Sequence, residues 1–254
     1  MVSRLKRLVV WWTPPIMLRA YGSVRGLRSK PAGETGGLRP LGLETLFAGI
    51  QGAEVRLNMA HMESAAGTLP LRECVTLGAI CQHLQPRLVF EIGTFRGSST
   101  LLMAMNSAPD CQIYTLDLPP GEVTTKYDVD NGNITGMTFS IGEHFERSAY
   151  ATRIQQLYGD SAAFDFSPFA GSIDLVFVDG SHSYENVVED SQTAFAMLRP
   201  GGVILWDDYH PEWGPGVMRA LHELGQRRLY RIMDTRFAIY VGPSIPIPNL
   251  QPQR

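Results

Sequence analysis

Cysteine is scarce in this chain, and Cys74, Cys81 and Cys111 are too irregularly spaced to form a disulfide framework. No CxxC pair marks a structural zinc site. No apolar run reaches the roughly 18 to 20 residues that a membrane span requires, so an integral membrane protein is not expected. A secretory leader is not expected either, because the N-terminal apolar stretch is short and interrupted by Pro14-Pro15. A reducing cytoplasm is the compartment these absences imply, and no nucleic-acid partner is expected.

What is present suits a single α/β domain with a short appendage: 254 residues, 44% hydrophobic and 19% charged. The net charge of -3 conceals an asymmetry. Residues 1–40 hold eight Lys and Arg against Glu34 alone, a net +7 that leaves -10 for the remainder. In residues 1–30 the basic positions alternate with Leu5, Leu8, Val9, Val10, Trp11, Trp12 and Ile16. Such a segment suits peripheral contact with an anionic membrane surface, with its indoles at headgroup level. A disordered or partner-packed tail is the plainer reading. Gly33, Gly36, Gly37, Pro40 and Gly42 punctuate the chain as a linker, which places the tail at residues 1–42 and a folded domain at 43–254.

From Arg87 onward, short apolar runs alternate with helical patterns. Leu88 to Ile92, Ile113 to Leu116, Ile154 to Leu157, Ile173 to Val178 and Val203 to Trp206 read as strands. Ser98 to Met105, Tyr184 to Leu198 and Gly216 to Leu224 read as helices long enough for crossovers, and one more spans Pro70 to Gln82. This alternation implies a mostly parallel sheet covered on both faces. Two last runs, Tyr230 to Met233 and Phe237 to Val241, flank Asp234-Thr235-Arg236 as a terminal antiparallel hairpin at the sheet edge. Residues 119–150 lack periodicity and read as a lid-like insertion, with Phe139, His144 and Phe145 expected near an acceptor.

In such a sheet, ligands bind beyond the carboxyl ends of the strands. The first strand-to-helix turn runs from Gly93 to Ser99, with Thr94 inside it and Gly93 and Gly97 free of a Cβ, so backbone can approach a ligand closely. Ser98, Ser99 and Thr100 are placed to cap the helix. The spacing Gly93-x-x-x-Gly97 is not GxGxxG, which weakens a pyrophosphate reading. Asp117, at the end of the second strand, is placed to accept ribose hydroxyls, and Asp160-Ser161 after the third to reach an adenine edge. Taken singly, each is also what a plain β-to-α connection or a helix cap supplies.

At this point the chain resembles the class I S-adenosylmethionine-dependent methyltransferases, with Glu91-Ile92-Gly93-Thr94-Phe95-Arg96-Gly97 in the place of that family's glycine motif. The resemblance covers about residues 68–242. It implies a Rossmann-like sheet of seven strands, with Glu91, Gly93 and Ser99 bordering the methionine moiety, Asp117 the ribose, and Asp160 with Ser161 the adenine.

The fourth strand ends in Asp179-Gly180-Ser181-His182 and the fifth in Asp207-Asp208-Tyr209-His210. Three carboxylates at adjacent strand tips repel one another unless they are protonated or bridged by a cation. All-oxygen ligands favour Mg²⁺, Ca²⁺ or Mn²⁺ over zinc. The pattern is similar to the metal-dependent O-methyltransferases, the group holding the catechol and macrolide-sugar enzymes. That resemblance implies a divalent metal on Asp179, Asp207 and Asp208, with Asp208 in place of the catechol enzymes' Asn pointing toward sugar acceptors. His182 falls where related enzymes carry a catalytic base, and an imidazole accepts protons at neutral pH. The expected acceptor is a small phenolic or glycoside hydroxyl. A nicotinamide-dependent oxidoreductase would share Asp117 but has no use for three clustered acids, and a non-catalytic Rossmann-like binding protein would need neither metal nor His182. The oligomeric state, including a homo-oligomer, is left open.

Overall fold

The computed structural model describes residues 37–62, 67–121, 125–127 and 139–247. The basic stretch of residues 1–30, the start of the linker and the middle of the 119–150 insertion lie outside them. The described residues build one eight-stranded sheet. Its strands are β1 (Pro40–Leu41), β2 (Leu88–Ile92), β3 (Gln112–Asp117), β4 (Ile154–Tyr158), β5 (Ile173–Val178), β6 (Leu198–Trp206), β7 (Leu229–Ile232) and β8 (Ala238–Val241). The helices are α1 (Leu43–Leu46), α2 (Leu71–Leu84), α3 (Ser98–Asn106), α4 (Glu143–Glu146), α5 (Tyr184–Met197) and α6 (Pro215–Leu224). No helix among the described residues is long and apolar enough to cross a membrane.

The strand order is β1-β7-β8-β6-β5-β2-β3-β4. The five strands β2 to β6 run parallel, and β8 pairs antiparallel with both β6 and β7, as the alternation of runs implied. The sheet has eight strands rather than the expected seven. Pro40–Leu41, in the stretch read as linker, pairs in parallel with Arg231 and Ile232. Because β7 gains this partner, the hairpin does not form the sheet edge.

Both faces of the sheet are dry for the reason the apolar runs suggested: in a strand, successive side chains point to opposite faces. Val89, Leu175, Phe177, Val203 and Leu205 pack under α2 and α3. Phe90, Val176, Val178, Ile204 and Trp206 pack under α5 and α6. At roughly 1.5 to 3 kcal/mol for each large side chain removed from water, these two layers are the main stabilising term. Trp206 is a packing residue, and its indole N–H donates to Ser191 Oγ at 3.0 Å.

This topology fixes where a ligand can sit. Chain order reverses at β2, which lies between β3 and β5, so the crevice opens beyond the carboxyl ends of β2 and β5. Gly93 directly follows β2 and Asp179 directly follows β5. The Asp179 amide donates to Ile92 O at 2.8 Å, drawing the two strand ends together.

Candidate active site

A cavity of about 750 Å³ opens at that crevice, a size suited to a nucleoside-bearing ligand beside a small second one. Gly93, Thr94, Ser99, Asp117, Asp160 and Ser161 line one side; Asp179, His182, Asp207 and Asp208 line the other. The two halves of the site read from the sequence thus share one space.

The glycine turn is held from below. Gly93 adopts φ +96°, and a Cβ there would overlap the Asp179 carbonyl oxygen. Only glycine fits without moving one strand end. The Thr94 and Phe95 amides donate to Asp117 Oδ2 at 2.9 and 2.7 Å, and the Leu118 amide donates to Oδ1 at 2.7 Å. Asp117 therefore shapes the loop as well as facing the cavity. Phe95, a bulky residue at φ +49°, is kept in that strained conformation by this bond and by the Gly142 amide on its carbonyl.

Two residues assigned to the cofactor wall act one layer behind it. Glu91 is fully buried and outside the cavity, and its carboxylate accepts from Ser99 Oγ and Thr115 Oγ1, both at 2.6 Å, and from Thr100 Oγ1. Burial pushes it up to about 7, against the pull of those three hydroxyls. The Ser99 and Thr100 hydroxyls, expected to cap α3, are spent on Glu91, and the N-cap is Gly97, which makes no side-chain cap. Gly97 has φ +81° and also faces away from the cavity, because a Cβ there would press on the Phe145 ring. Of the residues expected near an acceptor, Phe139 lines the cavity with Ile141, whereas Phe145 packs beneath the glycine turn and the His144 amide donates to Arg96 O at 2.9 Å. Asp160 accepts from the Lys126 amide at 2.7 Å and from Ala162 N at 3.0 Å, tying the insertion to the loop after β4.

On the opposite wall, the acids are arranged differently from the expected triad. His182 Nε2 lies 2.9 Å from Asp208 Oδ2. Ligand atoms of Asp179, His182 and Asp208 all fall within 4.8 Å of one another, a metal-competent group of two carboxylates and an imidazole. Asp207 is outside it. Its Oδ2 takes an N–H of Arg236 at 3.2 Å, and a second guanidinium nitrogen lies 3.1 Å from Asp208 Oδ1. Of the expected set of Asp179, Asp207 and Asp208, this group holds Asp179 and Asp208 together with His182, while Asp207 is held through Oδ2 by the guanidinium and keeps Oδ1 buried without a hydrogen bond.

The electrostatics follow from burial and like charge. Burial, then the charges of Asp207, Asp208 and Glu91, push Asp179 well up. Burial and Asp208 push Asp207 to about 7. Burial would also raise Asp208, but the His182 hydrogen bond and the Arg236 charge outweigh it and hold that carboxyl below its ordinary value. Asp208 is thus the ionised partner of His182. Its backbone sits at φ +54°, and Gly214 packs so closely on its carbonyl that a Cβ there would overlap the oxygen. A strained residue held this firmly is typical of functional sites.

Sequence reading missed Arg236 and Trp213. Arg236 was read as part of a turn, yet β8 pairs antiparallel with β6 in the register Ala238 to Trp206. That register sets the residues just before β8 beside the carboxyl end of β6. Trp213 also lines the cavity, is 48% exposed, and meets the His210 ring edge-on at 5.1 Å.

Residues 90–209 match a family described as a methyltransferase domain. A catechol O-methyltransferase of Mycobacterium tuberculosis is 32% identical over 137 residues, 53% of this chain and 52% of that protein. An uncharacterised protein of Acanthamoeba polyphaga mimivirus is 32% identical over 138 residues, 53% of this chain and 57% of the relative. The chain spans about half the length of the curated relatives it matches. Among solved structures, the O-methyltransferase TomG of Streptomyces achromogenes, in complex with S-adenosylmethionine, superposes with a TM-score of 0.53 at 19% identity. That match covers 74% of this chain and 91% of TomG, and at this identity it speaks for the fold. The matched segment runs from the middle of β2 to just beyond β6 and carries Glu91, the glycine turn and Asp117, Asp160, Asp179, Asp207 and Asp208, so the part of the chain similar to methyltransferase domains is the part that builds the crevice.

Proposed function

We propose that this protein transfers a methyl group from S-adenosylmethionine to a hydroxyl oxygen of a small phenolic or glycoside acceptor, with a divalent cation at the acid cluster. The observation that carries this reading is the His182–Asp208 pair facing the Gly93 turn across one cavity. The cradle at Gly93, closed to any side chain, suits close approach by the cofactor's methionine moiety, and Asp117, Asp160 and Ser161 suit its nucleoside. That cofactor supplies an electrophilic methyl on a sulfonium. The TomG complex with S-adenosylmethionine on a similar fold supports the assignment.

A hydroxyl is a poor nucleophile at neutral pH, so the site must remove its proton. His182, paired through Nε2 with Asp208 Oδ2, is the base that takes the acceptor's proton, and the carboxylate stabilises the resulting imidazolium. The acceptor oxygen then forms its bond to the methyl carbon as the carbon–sulfur bond breaks, and the sulfur leaves as a neutral thioether. Holding oxygen, methyl and sulfur in line accounts for much of the rate. Asp179 and Asp208 have the donor chemistry to hold a divalent cation, which would act as a Lewis acid on the acceptor oxygen. Trp213, exposed on the cavity rim, offers a flat apolar face to the acceptor ring.

A nicotinamide oxidoreductase is disfavoured by the missing second glycine of the fingerprint and by the acid cluster. The test is release of S-adenosylhomocysteine across a panel of catechols, phenols and glycosides, with Mg²⁺ or with EDTA. Turnover with Mg²⁺ that EDTA lowers at least about a hundredfold is expected for a Lewis-acid role. Turnover untouched by EDTA removes the metal and leaves the methyl transfer.

A further inference from the structure

Arg236 is a cation built into an acid cluster that the family resemblance assigns to a metal alone. Three carboxyls contact it, and a fourth lies beyond them. Its side chain reaches Asp207 Oδ2 at 3.2 Å, Asp208 Oδ1 at 3.1 Å and Glu73 Oε1 at 4.0 Å, and Asp179 belongs to the same group through Asp208. The backbone fixes it in place. The Arg236 amide donates to Glu73 Oε1 at 3.2 Å, and its carbonyl accepts from the Tyr209 amide at 2.8 Å, one residue past Asp208. The side chain is a quarter exposed and lines the same cavity as His182.

We infer that Arg236 is a positioning residue of the acid cluster, fixing Asp207 and Asp208 in one relative orientation and lowering the affinity of the cluster for a divalent cation. Two geometric facts support this role. Arg236 takes Oδ1 of Asp208 and leaves Oδ2 toward His182, so it orients the carboxylate without consuming it. A guanidinium presents several N–H groups in a rigid fork, which allows one side chain to hold two carboxylates in fixed relative positions; a lysine lacks that fork. With one guanidinium against four carboxyls the cluster retains room for a divalent charge, and it binds that charge less tightly than it would without the arginine.

This inference rests on the cation site of the proposed function and is tested without turnover. Mn²⁺ is titrated into the full-length protein and its two variants, and the free ion is followed by electron paramagnetic resonance. Arg236→Gln is expected to bind Mn²⁺ at least about tenfold more tightly, the direction and least size expected when a unit charge is removed near a divalent site at an effective dielectric of about 20. Glu73→Gln, which removes an acid but leaves the guanidinium, is expected to weaken binding about threefold or more by the same argument. A structural role is separated by melting: in EDTA Arg236→Gln melts lower than the parent, and saturating Mn²⁺ raises its melting temperature more than the parent's. Equal Mn²⁺ affinity in parent and Arg236→Gln, or weaker affinity in the variant, overturns the inference while leaving the cation site in place. Absence of Mn²⁺ binding in the parent and both variants overturns the cation site itself, and the inference with it.

Discussion

Gly93→Ala is expected to lose S-adenosylhomocysteine binding by at least about a hundredfold and to lower the melting temperature by several degrees. The reason lies in two independent constraints on one residue. Its φ of +96° is a conformation that residues with a Cβ rarely adopt, and the space a Cβ would fill already holds the Asp179 carbonyl, with the Gly180 amide 2.9 Å away. Those atoms belong to backbone at the end of a central strand and cannot rotate aside. Overpacking of this kind costs roughly 1 to 3 kcal/mol or more. The loss is felt by function as well as stability, because the displaced atoms lead directly to Asp179 and His182. Calorimetric titration of the variant, with circular dichroism to confirm that it folds, checks this. Affinity within about twofold of the parent contradicts the placement of Gly93 against β5.

His182→Ala is expected to lower kcat by about 10²- to 10⁴-fold, the usual worth of a positioned general base. Affinity for S-adenosylhomocysteine should stay within about twofold, because the residues facing the nucleoside lie on the opposite wall. The metal-competent group includes this imidazole, and a ring nitrogen that ligates a cation cannot also take a proton. The two uses separate in one variant. If His182 is the base, His182→Ala retains Mn²⁺ affinity and loses turnover; if it is a ligand, both fall together. Full turnover in the variant removes the base assignment.

The parts of this architecture that are periodic were legible in the sequence. Val89 and Phe90, or Leu205 and Trp206, alternate between two dry layers, so the strands of the parallel sheet announce themselves as apolar runs. The convergence of Gly93, Asp117 and Asp160 on one cavity was legible because each lies at or just past the carboxyl end of a parallel strand, and such strand ends converge. Pro40–Leu41 was not, since two residues of strand carry no period and a proline argues against one. The three acids were read as equivalent because sequence gives their position on strand tips but not their partners. Both Asp207 and Asp208 pair with Arg236, about thirty residues away and brought alongside by the antiparallel register of β8 on β6, and Asp208 alone of the two also pairs with His182. Likewise, Ser99 and Thr100 read as capping residues until the buried Glu91 beneath them supplied a stronger acceptor.

The central claim is that the crevice between β2 and β5 is a site for the methionine-bearing nucleoside rather than for a dinucleotide. Calorimetric titration of the full-length protein with S-adenosylhomocysteine, and separately with NADH, tests it most directly. The account predicts saturable one-to-one binding of S-adenosylhomocysteine and no measurable heat with NADH. Binding of NADH, with none of S-adenosylhomocysteine, would contradict it.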